Sequence, residues 1–124
     1  MITRDELVQR GEAVRQQLQH GAYGSTGTAV NASVPGVSHL TKEAVFGAVW
    51  GRPGLDMRSR MICTLAILSV LQRLSQLRTY IHSALTLGLE AREIQEIIIQ
   101  SAIYGGFPTM VNSLVRLSFH LELI

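Results

Sequence analysis

Trp50-Gly51-Arg52-Pro53-Gly54-Leu55-Asp56, the apolar run from Met61 to Leu71, and Ile103-Tyr104-Gly105-Gly106-Phe107-Pro108 punctuate the stretch that decides the fold. Gly51 and Gly54, with Pro53 between them, stop one helix. Asp56 caps the next, roughly Met57 to Gln72, whose interior Ile62-Cys63-Thr64-Leu65-Ala66-Ile67-Leu68 is apolar nearly all round, the pattern of a helix buried on most sides. Ser75 caps a further helix with the stripe Leu77, Ile81, Ala84 and Leu85, ending at Gly88. Glu90 to Tyr104 follows, with Ile94, Ile97, Ile98 and Ala102 facing inward. Gly105-Gly106 ends it, and Pro108 suits the first turn of a last helix through Val111, Leu114 and Leu117 to Leu123.

Toward the N-terminus, Thr3 can cap a first helix over residues 3 to 19, with Glu6 three residues on and Leu7, Val14 and Leu18 at helical spacing. From His20 to Ser38 the composition turns to Gly, Ser, Thr, Ala and Asn, which predicts an irregular arm. A second helix starts near Thr41 and runs through Val45, Phe46 and Val49 to Trp50. No stretch alternates long enough for a strand, so the class is all-α with about six helices. The division expected is one domain over 1–124: a helix and arm to residue 38, and a helical core over 39–124.

Length and composition bound what such a domain can do. A chain of 124 residues is about one domain. Charged residues are 16%, against roughly 25% in an average soluble domain, so little charge is left to cover apolar surface, and an oligomer interface accounts for the shortage. The net charge of +2 comes from scattered Lys and Arg, with no run beyond Arg58-x-Arg60, which argues against a nucleic-acid surface. The single Cys63 has no disulfide partner and sits among apolar neighbours, so it reads as a small buried hydrophobe. No secretory signal or membrane-spanning run is visible, and the expected location is cytoplasmic.

Taken in order, Val45-Phe46-Gly47-Ala48-Val49-Trp50-Gly51-Arg52-Pro53-Gly54-Leu55-Asp56, then Leu77-Arg78 with Ala84-Leu85-x-x-Gly88-Leu89, then Glu93-Ile94-x-Glu96 and Ala102-Ile103-Tyr104-x-Gly106-x-Pro108, resemble the carboxymuconolactone decarboxylase family. Gly11-x-x-Val14-Arg15 resembles the start of those proteins. The resemblance implies an alkylhydroperoxidase D-like fold with a helical hairpin core, assembled as trimers or hexamers with pockets near subunit contacts. It also implies decarboxylation of a lactone carboxylic acid without metal or organic cofactor. The family's redox branch carries a Glu, two Cys and a His, which fall here on Met61, Arg73, Gln76 and Tyr80. None of the four is present, and Cys63 lacks the resolving thiol that disulfide exchange needs. Tyr80 also stands where the decarboxylases carry a His. Beyond Pro108, where they often place polar or imidazole groups, this chain has Thr109-Met110-Val111-Asn112.

Loss of CO2 leaves an electron pair that a conjugated carbonyl must accept. The protein has to orient the carboxylate, stabilise the developing oxyanion and protonate carbon. Arg52 and Arg60 are the carboxylate candidates, because a guanidinium fork matches a carboxylate; the alternatives are a tie within the turn and a surface charge. Tyr80 is the candidate acid or hydrogen-bond donor, and its alternative is an amphipathic filler at the core's rim. His82, about 200° round the helix from Tyr80 and aligned with Arg78, is a second catalytic candidate or else a surface or intersubunit side chain. Tyr104 extends a polar edge with Glu96 and Gln100 that lines a substrate pocket or a solvated face, and Trp50 is a substrate-binding candidate or else packing that anchors the turn. His39 is a loop histidine, and His20 and His120 show no constellation. No His or Cys pair has metal-ligand spacing. The expected function is a cofactor-independent decarboxylase of a small conjugated acid, with neither nucleic acid nor membrane as partner. The alternative is a catalytically silent oligomeric binding or assembly protein.

Overall fold

The computed structural model describes residues 1–18, 34 and 36–121, so most of the expected arm, including His20, lies outside the described residues. All described elements are helical, as expected. They are α1 (Arg4–Leu18), α2 (Val37–Thr41) running without a break into a π-helical segment (Lys42–Trp50), α3 (Met57–Val70), α4 (Leu74–Leu87), α5 (Ala91–Gly105) and α6 (Phe107–His120). They form two compact units, Met1–Met57 and Arg58–Ile124.

In the first unit the predicted capping box closes. The Thr3 N–H donates to the Glu6 carboxylate at 3.0 Å, and the Glu6 N–H to the Thr3 hydroxyl at 3.1 Å. Helix α1 then crosses the π segment backbone to backbone, which only glycine allows. A Cβ on Gly11 would stand 1.8 Å from the Lys42 carbonyl oxygen, and one on Gly47 2.0 Å from the Leu7 carbonyl oxygen. Around this crossing Arg10 donates to the Gly47 carbonyl at 2.8 Å, and Lys42 pairs with Glu12 at 2.8 Å. Phe46 is fully buried, as is Leu18. The resemblance drawn on Gly11-x-x-Val14 thus has a local cause: Gly11 admits a neighbouring backbone and Val14 packs beside it.

In the second unit each helix buries one stripe: Met61, Leu65 and Ser69 from α3, Leu77, Ile81 and Ala84 from α4, Ile94, Ile98 and Ser101 from α5, and Thr109, Ser113 and Leu117 from α6. Glu90 and Glu93 form a reciprocal capping box at the start of α5. Gly88 and Gly106, at φ 109° and 93°, end α4 and α5 in the left-handed backbone that favours glycine.

Three expectations are corrected. Helix α3 is not buried all round: Ile62, Cys63, Ile67, Val70 and the following Leu71 are exposed, because its buried stripe is one residue wide per turn. Cys63 is therefore a surface thiol. Ser75 is not the cap of α4; Arg73 holds that place and Ser75 lies in the first turn. The second helix begins at Val37, within the stretch read as arm.

Alanine at an exposed helical glycine gains about 1 kcal/mol, but at Gly11 its methyl group meets backbone that cannot yield. Gly11→Ala is expected to lose about 3 kcal/mol of stability, read as a lowered urea midpoint; a raised midpoint would contradict the crossing.

Candidate active site

Of the residues singled out in the sequence, Trp50 and Arg52 belong to the first unit and Arg60, Tyr80, His82 and Tyr104 to the second. Trp50 is buried at the end of the π segment, and Arg52 is exposed on the turn after it. Arg60 is half-buried in the first turn of α3. Tyr80 is half-buried on α4, at the edge of the stripe of fully buried Leu77, Ile81 and Ala84 and on the same side as buried Ser83. His39 is exposed on α2.

Tyr104 is 77% exposed near the end of α5. It stands at the lip of an open groove of about 460 Å³ between α3 and α5, lined by Ala66, Ile67, Val70, Leu71, Gln100 and Ser101. A second hollow, about 320 Å³, lies beside Ile62, Leu89 and Ile97, with Arg92, Glu93 and Glu96 on its polar side. The Glu96, Gln100 and Tyr104 edge of α5 is thus divided between the two. Arg58 is paired with Glu93 at the second hollow, whose carboxylate is held below its ordinary range first by the Glu90 backbone N–H and then by Arg58. Neither Tyr80 nor His82 lines either hollow.

His82 and His120 form a pair that sequence reading missed. Their ring centroids are 5.9 Å apart, with the planes at 46°. His82 Nε2 and His120 Nδ1 are both buried, with no hydrogen-bond partner among the described residues. Burial lowers the His120 pKa, the Arg116 carbonyl acts the other way, and the positive charges of His82 and Arg78 lower it further. The signal was present as two i, i+4 pairs, Arg78 with His82 and Arg116 with His120, on helices that pack together. Among the described residues no three His, Cys, Asp or Glu cluster as a metal site would require, and no helix is long and apolar enough to cross a membrane.

The model of the carboxymuconolactone decarboxylase family matches residues 35–117. The chain belongs to that family. An uncharacterised 15.0 kDa protein from the nqo9–nqo10 intergenic region of Paracoccus denitrificans is 30% identical over 111 residues, covering 88% of this chain and 83% of that protein. The 4-carboxymuconolactone decarboxylase of Acinetobacter baylyi is 35% identical over 63 residues, 51% of this chain and 47% of that enzyme. The nitrosuccinic acid decarboxylase npaB of Metarhizium robertsii is 29% identical over 119 residues, 91% of this chain and 82% of that enzyme. Family membership and two relatives named as decarboxylases support a decarboxylase-type function. The carboxymuconolactone decarboxylase match spans every site candidate from Trp50 to Tyr104 and ends before His120.

The histidine pair gives the fold a pH dependence of defined sign. The folded pKa of His120 lies below its unfolded value, so the unfolded chain takes up protons first as pH falls. The stability this group contributes is complete above the ordinary histidine range and is lost as pH drops toward the folded pKa. The melting temperature is expected to fall between about pH 7.5 and 5.5, above the carboxylate range, and His120→Gln is expected to flatten that slope. An equal slope in both proteins would remove the pair as its source.

Proposed function

We propose that this chain is a cofactor-independent decarboxylase, or an enzyme of the same enolate chemistry, acting on a small conjugated, lactone or aromatic carboxylic acid. The observation that carries the reading is Tyr80, half-buried at the rim of the α4 core stripe within the span of the family match. In this scheme Arg60, in the first turn of α3, binds the carboxylate. The C–C bond to it breaks, CO2 leaves, and the electron pair passes into the conjugated carbonyl as an enolate. Tyr80, whose phenol ordinarily titrates near pH 10, donates a hydrogen bond to the enolate oxygen or a proton to carbon. His82, turned toward His120, takes no part in that transfer. Tyr104, at the lip of the apolar groove, is assigned to substrate binding.

A homo-oligomer, trimer or hexamer, is part of the same proposal. It is supported by apolar side chains left in solvent on three helices of the second unit, including Ile67 at 55%, Ile103 at 76% and Phe107 at 73% exposure. The bare face favours a second copy over a larger core, since 16% charge cannot cover it. Sedimentation at micromolar concentration should give three or six subunits.

The decisive assay is CO2 release from 4-carboxymuconolactone, nitrosuccinic acid and a panel of conjugated ring acids. The wild type is expected to turn over at least one. Tyr80→Phe, at unchanged oligomeric state, is expected to lose about a hundredfold in kcat, the contribution of a positioned acid. An inert panel with a well-folded protein would overturn the reading.

A further inference from the structure

The turn between α3 and α4 closes as a Schellman motif: the Arg73 N–H donates to the Leu68 carbonyl at 3.0 Å and the Gln72 N–H to the Ser69 carbonyl at 3.2 Å. The residue at the C′ place of that motif must adopt a left-handed backbone, for which glycine is the ordinary choice. Gln72 holds it instead, at φ 56°, the one non-glycine residue at positive φ among the described residues. Such a position is strained for an L side chain, and a strained residue that persists points to something its side chain does.

What the position gains is a primary amide fixed at both ends. Gln72 Nε2 donates to the Ser69 carbonyl at 2.7 Å and stands 3.5 Å from both the Thr109 carbonyl oxygen and the Ser113 hydroxyl oxygen. Turning this amide over would press its oxygen against two carbonyl oxygens, so the network itself sets its orientation. Gln72 Oε1 therefore faces α6, where it accepts a hydrogen bond from Asn112 Nδ2 at 2.9 Å. That bond sets the Asn112 amide in turn: its NH2 faces Gln72, leaving its carbonyl oxygen and second N–H outward on an exposed side chain. Ser69 and Ser113 beneath are fully buried, and the Ser69 hydroxyl has no hydrogen-bond partner among the described residues. A tie between a turn and a helix needs none of this polarity, because apolar contact would serve with glycine at position 72.

We infer that Asn112 is a recognition residue for a carbonyl or carboxyl oxygen of the acid substrate, and that Gln72 is the positioning residue that holds it in one amide orientation. The inference rests on the decarboxylase reading for its substrate class. The outward N–H donates to the substrate oxygen, and the outward carbonyl accepts from a hydroxyl or protonated carboxyl beside it. A rigid donor loses less entropy on binding than a free surface amide, which is what the strained turn supplies.

Gln72→Gly separates this role from a structural one, because it relieves the backbone while removing the amide. It is expected to melt at or above the wild-type temperature, yet to raise KM about tenfold for the acid turned over, with a smaller change in kcat; Asn112→Ala should do the same. A Gln72→Gly protein with unchanged KM overturns the inference and leaves the decarboxylase reading standing. Should no acid be turned over, the decarboxylase reading fails alone, and the inference is decided by titrating ¹⁵N-labelled protein with succinate. Movement of the Asn112 side-chain amide signals in wild type but not in Gln72→Gly supports it, and no movement in either overturns it. If Gln72→Gly does not fold, the KM of the Asn112→Ala variant and those wild-type amide signals decide between the same two outcomes.

Discussion

Burial of one apolar stripe from each of four helices fixes where the polar groups of the second unit can stand. Met61, Leu65, Leu77, Ile81, Ile94, Ile98 and Leu117 are all at or near zero exposure. Each contributes about 1.5–3 kcal/mol on burial, whereas a typical hydrogen bond contributes about 1 kcal/mol net. The stripes therefore set the rotation of every helix, and polar side chains take the positions left at their edges. Tyr80 flanks the α4 stripe on one side and His82 on the other, so the two cannot act on one atom from within this helix. Their separation follows from 100° per residue and the demand that Leu77, Ile81 and Ala84 face inward.

The same rule explains how much of the fold the sequence disclosed. Several helix ends were legible from their chemical markers: Thr3 with Glu6, Gly88, and Gly106 with Pro108 each do in the structure what their chemistry predicts, whereas the Ser75 marker misplaced the start of α4 by two residues and the Glu90–Glu93 box went unread. The π segment was not legible, because its extra residue per turn comes from a tertiary crossing at Gly11 and Gly47 and not from any local preference of Lys42–Trp50. The burial of α3 was misjudged for a related reason. An apolar run tells that a surface avoids water, but not whether the same chain or another copy covers it. Ile62, Ile67 and Leu71 satisfy the pattern of a buried helix while facing out of this one.

The candidate site was less legible than the fold. Tyr80, His82 and Arg60 could be placed on helices from spacing alone, since their neighbours define the stripe. The His82–His120 pair escaped notice because its members are 38 positions apart and meet only through the packing of α4 on α6. Gln72 escaped for a different reason. A glutamine at a helix end carries no turn signal, and its left-handed backbone is visible only in the folded chain. Propensity rules look for glycine there, and a residue that defies them is legible only as a discrepancy.

Between α4 and α6 runs a seam of uneven chemistry. At one end Gln72, Thr109, Asn112 and Ser113 exchange neutral hydrogen bonds; at the other the tilted rings of His82 and His120 meet, each with a buried nitrogen that has no hydrogen-bond partner among the described residues. Because Gln72 precedes α4 and meets the start of α6, while His82 lies further along α4 and meets the end of α6, the two helices run in the same direction along the seam. Parallel neighbours cannot be joined by a tight turn, and here α5 makes the return, packed on α6. The α4–α6 contact therefore joins helices that are not consecutive in the chain, and its polar groups must hold a register that no connecting loop enforces. Neutral amides at one end are indifferent to pH, whereas burial disfavours the charged form of His120 at the other, so acid weakens the seam from its histidine end and leaves the amide end the better held.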